Sequence, residues 1–175
     1  EERVFARQLE IAKELKLPAL VHTPHRDKKK GTERSLALVK EVGIDESWVL
    51  IDHNNEETLP LVLDSACWAG HSIYPHTKMD EGRMAVLAKK YGAERIIVNS
   101  AADWGRSDPL KVPKTAAVLR ARGFGDAEIE KIVWTNPLTF FATSGRINPA
   151  ELDQPLVVEH GLYEGNSLLR GGQRW

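Results

Sequence analysis

Residues 17–28 read LPALVHTPHRDK, and the way this stretch is read decides the fold. A short apolar run, Ala19 to His22, follows a proline and passes directly into threonine, proline and charge. Before it, Phe5, Leu9, Ala12 and Leu15 recur at helical spacing, which predicts an amphipathic helix over residues 2–16. Pro18 has no N–H to donate and ends that helix. A brief apolar run between breakers suits a strand buried on both faces, as in a parallel sheet. A strand that only packs ends in a Gly, Asn or Asp turn. This one ends in His22 and reaches His25, side chains that titrate near neutrality and ligate metals.

The same unit recurs outward from this point. Residues 33–42 predict a helix closed by Gly43, and WVLIDH (48–53) reads as the second strand. Residues 55–66 open with capping chemistry at Asn55, although Pro60 unsettles the first turns, and Cys67 is expected to continue that helix. WAGHSIYP (68–75) reads as a third, weaker strand. Residues 80–92 start with acids and end with bases and a glycine, complementing the helix dipole at both ends. ERIIVNS (94–100) is the fourth strand, and further helices are expected near 112–122, 126–134 and 137–143. Strand and helix alternating in this way give an α/β protein of parallel βα units. Either a small doubly wound sheet or part of a (β/α)8 barrel fits, and both put chemistry at the carboxyl ends of the strands.

Composition narrows the classes. The 175 residues carry a net charge of −1 with 42% hydrophobic and 28% charged residues, which suits a soluble domain with a real core. That charge advertises neither nucleic acid nor an anionic membrane. One cysteine cannot form an internal disulfide, so a reducing, cytoplasmic setting is the expectation. No apolar run approaches the roughly 20 residues a membrane span requires. The first residues read as the interior of a helix, as if cut from something longer. Gly-x-Ser-x-Gly, His-Glu-x-x-His and paired cysteines are missing from the sequence, which leaves serine-hydrolase, zincin and zinc-finger readings without support. Gly123 and Gly125 fall between helices and read as a cap and turn, not as a phosphate loop.

The predicted strand ends hold the chemistry. The first ends in His22 with His25 just beyond, the second ends in His53, the third carries His71 and runs on to Tyr74 and His76, and the fourth ends with Asn99 and Asp103. Alternation puts His22 on the face of Leu20 and His53 on the face of Ile51 and Val49. Two histidines and a carboxylate meeting over a common core make a metal site, and Asp103 is placed to take a proton from water. Each residue also has an ordinary reading. His22 and His53 could cap strands, Asp103 could cap a helix (a role Asp108 suits better), and His25 could be a solvated loop residue. Trp104 could pack between helices or wall the pocket. Asp52, alternating away from His53, reads as a residue that orients a neighbour. DKKKG (27–31) reads as a solvated loop, with an anion site near the mouth as the alternative.

Taken together, QLEIAKELKLPALVHTPH, VLIDHN, ERIIVNSAADWGRSDPLKVPKTA and NPLTFF resemble the TatD-like metal-dependent hydrolases of the amidohydrolase superfamily. The resemblance implies a (β/α)8 TIM-type barrel of which residues 1–147 form the C-terminal half, strands five to eight, with 148–175 as a C-terminal extension. It implies metal ligation by His22, His53 and Asp103, with Asp103 also the general base. Substrate contacts would fall at His25, His71, His76 and Trp104. One or two divalent ions, zinc, magnesium or manganese, would serve hydrolysis of a phosphodiester, ester, lactone or amide bond. Nucleic acid enters only as a possible substrate. The family's opening His-x-His pair and its strand-four Glu are not in this sequence. Either a preceding segment, a partner chain or a second copy would complete the barrel. The alternative function is a noncatalytic half-barrel that assembles and binds a small molecule.

Overall fold

The computed structural model describes residues 1–74, 77–101 and 108–152. Helix α1 (Glu2–Glu14) leads to strand β1 (Ala19–His22), helix α2 (Lys28–Val42) to β2 (Val49–Asp52), α3 (Leu59–Leu63) to β3 (Trp68–Ile73), and α4 (Glu81–Tyr91) to β4 (Ile96–Ser100). The fold is α/β, and the four strands pair in parallel in chain order, β1-β2-β3-β4. Helices α5 (Lys111–Ala121), α6 (Asp126–Glu130), α7 (Asn136–Ala142) and α8 (Pro149–Leu152) follow. No helix among the described residues is long and apolar enough to cross a membrane.

The sheet has two unlike faces because side chains alternate along each strand. Val21, Val49, Ile51, Ala69, Ile73, Ile96 and Val98 point to one face, where they form the main core with Leu38 and Val39 of α2, Leu59 and Val62 of α3 and Leu87 of α4. Burying an aliphatic side chain of this kind contributes about 1.5–3 kcal/mol relative to exposure. The opposite face starts apolar, with Leu50, Trp68 and Ile97 gathered around Phe140 of α7, and turns polar toward the strand ends. Leu20 on this second face is 57% exposed.

Small polar devices fix the layers. Arg95 donates from its guanidinium to the carbonyls of Leu63, Ser65 and Cys67, satisfying the last carbonyl of α3 and tying down the bend before β3. Asn136 donates to the carbonyls of Ala93 and Ile96, which clamps α7 to the start of β4 and seats Phe140 on the sheet. Pro137, lacking an N–H, follows a π-helical turn at Lys131–Thr135 that joins α6 to α7 without a break.

Several sequence expectations shift. Helix α2 begins at Lys28, so the lysine run 28–30 forms its first turn and is not a loop. Gly31 makes this possible: a Cβ there would lie 2.5 Å from Pro24 Cγ, so only glycine lets the first turn rest on the loop after β1. Helix α3 is limited to Leu59–Leu63, because Asn55 Oδ1 accepts from Glu57 and Thr58 N–H in a turn and Pro60 has no N–H to give. Cys67 lies in the bend before β3, not in a helix; it is buried, and burial pushes its thiol up to about 11.

Candidate metal centre

His22 closes β1 and His53 follows directly after β2. His53 Nε2 lies 2.8 Å from His22 Nδ1, and the rings meet edge to face with centroids 4.2 Å apart. Simple alternation does not produce this meeting. Val49 and Ile51, which alternation groups with His53, lie fully buried under the helices. His53 escapes that face because its backbone is left-handed, with φ 62°. Such a conformation costs a β-carbon residue about 1–2 kcal/mol, so the surroundings must hold it. Asp52 Oδ1 accepts the His53 N–H at 2.7 Å. Asn54 then donates from its side chain to the carbonyls of Ile51 and Gly70, and its own N–H reaches Gly70 as well. The turn is thus stitched to β3, and the imidazole swings over the polar face to meet His22.

The second nitrogen of His53 is also engaged. Its Nδ1 lies 2.7 Å from Ser72 Oγ, and that hydroxyl reaches Asp52 Oδ2 at 3.5 Å. Asn99 donates to Asp52 Oδ1 at 3.2 Å. An ionised carboxylate only accepts, so the network assigns the Ser72 proton to Asp52 and leaves Oγ to accept from His53 Nδ1–H. The lone pair of His53 then sits on Nε2, aimed at His22. Burial, the main cause, lowers the His53 pKa to about 4, with the charges of Lys78, His22 and Lys28 adding to it and Asp52 opposing. The ring is neutral at pH 7, the form that binds a metal.

The pair suits a divalent ion. Two imidazole nitrogens held at about 2.0–2.1 Å from a tetrahedral zinc stand roughly 3.3 Å apart. The observed 2.8 Å requires only that the rings part by about half an ångström. The carboxylate–serine–imidazole chain behind His53 is the kind of support that fixes a ligand's tautomer and direction. Among the described residues, no group of three or more His, Cys, Asp or Glu side chains is arranged to hold an ion. The expected third ligand, Asp103, lies outside the described residues, as do Trp104 and His76.

The remaining expectations fall in different places. His25 is exposed and lines a cavity of about 170 Å3 beside His53, together with Lys28, Asn54, Lys78 and Arg83. His71 does not reach this mouth. It shares the helix-covered face with Ala69 and Ile73, is 0% exposed, and burial lowers its pKa to about 4. Its position within β3 dictates this, since the residue pairs with Val98 in mid-sheet. Ser72 is the site residue that sequence reasoning did not single out, whereas Lys28 lies in the run it offered as an anion site near the mouth. For Ser72 the available signal was parity with Gly70. That glycine faces Asp52, whose Oδ1 would stand 2.6 Å from an added Cβ.

With the parallel βα sheet and the histidine pair over its carboxyl rim in view, the chain is similar in sequence to a metal-dependent hydrolase and in fold to a TatD-like protein. No protein-family model matches it. It is 29% identical, over 141 residues, to an uncharacterized metal-dependent hydrolase of Methanocaldococcus jannaschii, covering 81% of this chain and 55% of that protein. The crystal structure of a TatD-like protein from Archaeoglobus fulgidus superposes with a TM-score of 0.63 at 25% identity, covering 79% of this chain and 53% of the other. A resiniferatoxin-binding protein from Rhodobacter sphaeroides shares the fold, with a TM-score of 0.65 at 20% identity over 80% of this chain and 46% of its own length. The chain therefore spans about half the length of the proteins it matches.

Proposed function

We propose that this chain forms part of a metal-dependent hydrolase in which His22 and His53 hold a divalent ion and Asp103 completes the ligand set. The observation that carries the reading is the 2.8 Å histidine pair backed by Ser72 and Asp52. A bound ion supplies Lewis acidity, acidifying a water and polarising the oxygen of the scissile bond. His53 presents a neutral nitrogen, Ser72 and Asp52 keep its tautomer, and Asp103 accepts the proton released from water. The bond cleaved belongs to the phosphodiester, ester, lactone or amide class. Similarity to a protein named as a metal-dependent hydrolase supports this reading.

Metal analysis of the purified chain, paired with chelator-sensitive turnover of phosphoester and ester substrates, tests the proposal. Near-stoichiometric metal lost in His53→Ala is the expected result; metal-free protein with chelator-insensitive behaviour overturns it. A second reading, a noncatalytic module that binds a small molecule after pairing with another half-barrel or a second copy, is favoured by one observation. Leu20, on the polar-rimmed face of the sheet, is more than half exposed. Sedimentation separates the two, since the module requires assembly in the absence of metal and activity.

A further inference from the structure

Thr58 stands at the start of α3, and its hydroxyl does not serve that helix. A threonine at a helix start ordinarily accepts an N–H of the first turn. Thr58 makes no such cap bond, and Pro60, two residues on, has no N–H to offer. The residue is 0% exposed, so its hydroxyl must be satisfied inside the protein. It accepts the Asn55 N–H at 3.1 Å and turns its own proton back toward the loop after β2.

The neighbouring amides decide where that proton goes. Asn54 is buried, and one end of its side-chain amide faces two carbonyls, Ile51 at 2.6 Å and Gly70 at 3.2 Å. Carbonyls only accept, so Nδ2 takes that end and Oδ1 the other. Thr58 Oγ1 stands 2.9 Å from Asn54 Oδ1 and 3.3 Å from Asn55 Oδ1. Asn55 Oδ1 already accepts from the backbone of Glu57 and Thr58. Asn54 Oδ1 has no other donor among the described residues, so the shorter contact takes the proton. With its oxygen held there, the amide of Asn54 cannot turn away from the two carbonyls. Asn54 directly follows His53, whose left-handed backbone requires such a clamp.

We infer that Thr58 is a positioning residue for the candidate metal centre: its hydroxyl locks the Asn54 amide, and that amide holds the left-handed turn that sets His53 against His22. This rests on the hydrolase reading of the histidine pair and extends it to a buried hydroxyl on the next helix. Released from the clamp, the His53 backbone relaxes to negative φ, where a residue with a Cβ is at ease, and the imidazole leaves His22. An ion then meets one preplaced ring instead of two.

The test compares Thr58→Val, which keeps the shape and removes the hydroxyl, with Thr58→Ser, which keeps the hydroxyl. Zinc affinity of the full chain is measured by competition with a chromophoric chelator. In metal-free protein, NMR follows the strong amide–Hα NOE within His53 that a positive φ produces. Thr58→Val should bind zinc about 10-fold more weakly or worse, the effect of losing an outer-shell partner, and should lose the strong NOE. Thr58→Ser should match the parent in both. Thr115→Val is the control: Thr115 is equally buried and donates to the Lys111 carbonyl within α5, so its loss should lower stability and leave zinc binding and the NOE unchanged. If Thr58→Val does not fold, Thr58→Ala carries the test. A hydroxyl-free variant that is destabilised yet binds zinc as the parent does, or that keeps the NOE, overturns the inference and leaves the hydrolase reading standing. A parent chain that binds no zinc overturns the hydrolase reading instead, and the metal-free NOE still decides whether Thr58 holds the turn.

Discussion

Two histidines in this chain share a fate and differ in consequence. His53 and His71 are both buried, and burial drives both pKa values down to about 4. His71 lies on the helix-covered face, where no side chain among the described residues hydrogen-bonds to its ring. His53 lies over the polar face with both nitrogens engaged, one by Ser72 and one by His22. A depressed pKa therefore marks burial and not a site. What separates the site is convergence: a second imidazole, a serine and a carboxylate brought in from three neighbouring strands. The faces differ for the same reason. One must match the apolar sides of the helices, while the other is free to turn polar where the strands end.

The sharpest way to break this comparison is through rate. His53→Ala should remove metal and turnover together, and Asp103→Asn should lower kcat by about 10^2- to 10^4-fold, the range for loss of a general base, with less loss of metal. Unchanged turnover in Asp103→Asn would remove Asp103 from that role. Next in size is the packing that carries both faces. Phe140→Ala, at the centre of the cluster with Leu50, Trp68 and Ile97, should cost about 3–5 kcal/mol in denaturant unfolding. A loss below about 1 kcal/mol would mean that α7 is not anchoring the sheet.

A smaller effect sharpens the contrast between the histidines. Ser72→Ala leaves both proposed ligand nitrogens in place and removes what orients one of them. Metal affinity should fall about 10- to 100-fold, with stability little changed. Equal affinity in competition against a chelator would show that Ser72 is not fixing the tautomer. The smallest effect concerns His71. Its folded pKa is below its ordinary value, so between pH 6.5 and about 4 the unfolded chain takes up a proton that the folded chain refuses. Its contribution to stability is full above pH 6.5 and is lost as pH falls toward 4. His71→Leu should flatten that acid limb by up to about 1.4 kcal/mol per pH unit, leaving metal binding unchanged. An unaltered limb would show that His71 is not the group being titrated.

Much of this was legible before any coordinates. Hydrophobic periodicity and breakers placed all four strands and most helices, because parallel strands buried on both faces read as short apolar runs between Pro, Gly and capping residues. The lysine run at 28–30 was read as a loop because a helix start without a side-chain cap, and with cations in its first turn, contradicts the ordinary signals. Gly31 resting on Pro24 overrides those signals, and that contact exists only in three dimensions. Likewise, His71 looked like a rim residue because the rim of its strand borders the same cavity and the family resemblance implies substrate contacts there, and only the register with β4 shows it in mid-sheet.

The order of residues by itself determined the parallel βα arrangement and the delivery of His22 and His53 to the same end of the sheet, since strand direction and strand length follow from local pattern. Tertiary structure alone decided that the two rings meet. Alternation would have sent His53 under the helices with Ile51. The left-handed turn held by Asp52 and Asn54 sends it across the other face. That turn is stable only because its bonds reach Gly70 and the Ile51 carbonyl, partners fixed by the packed sheet rather than by neighbouring positions in the chain.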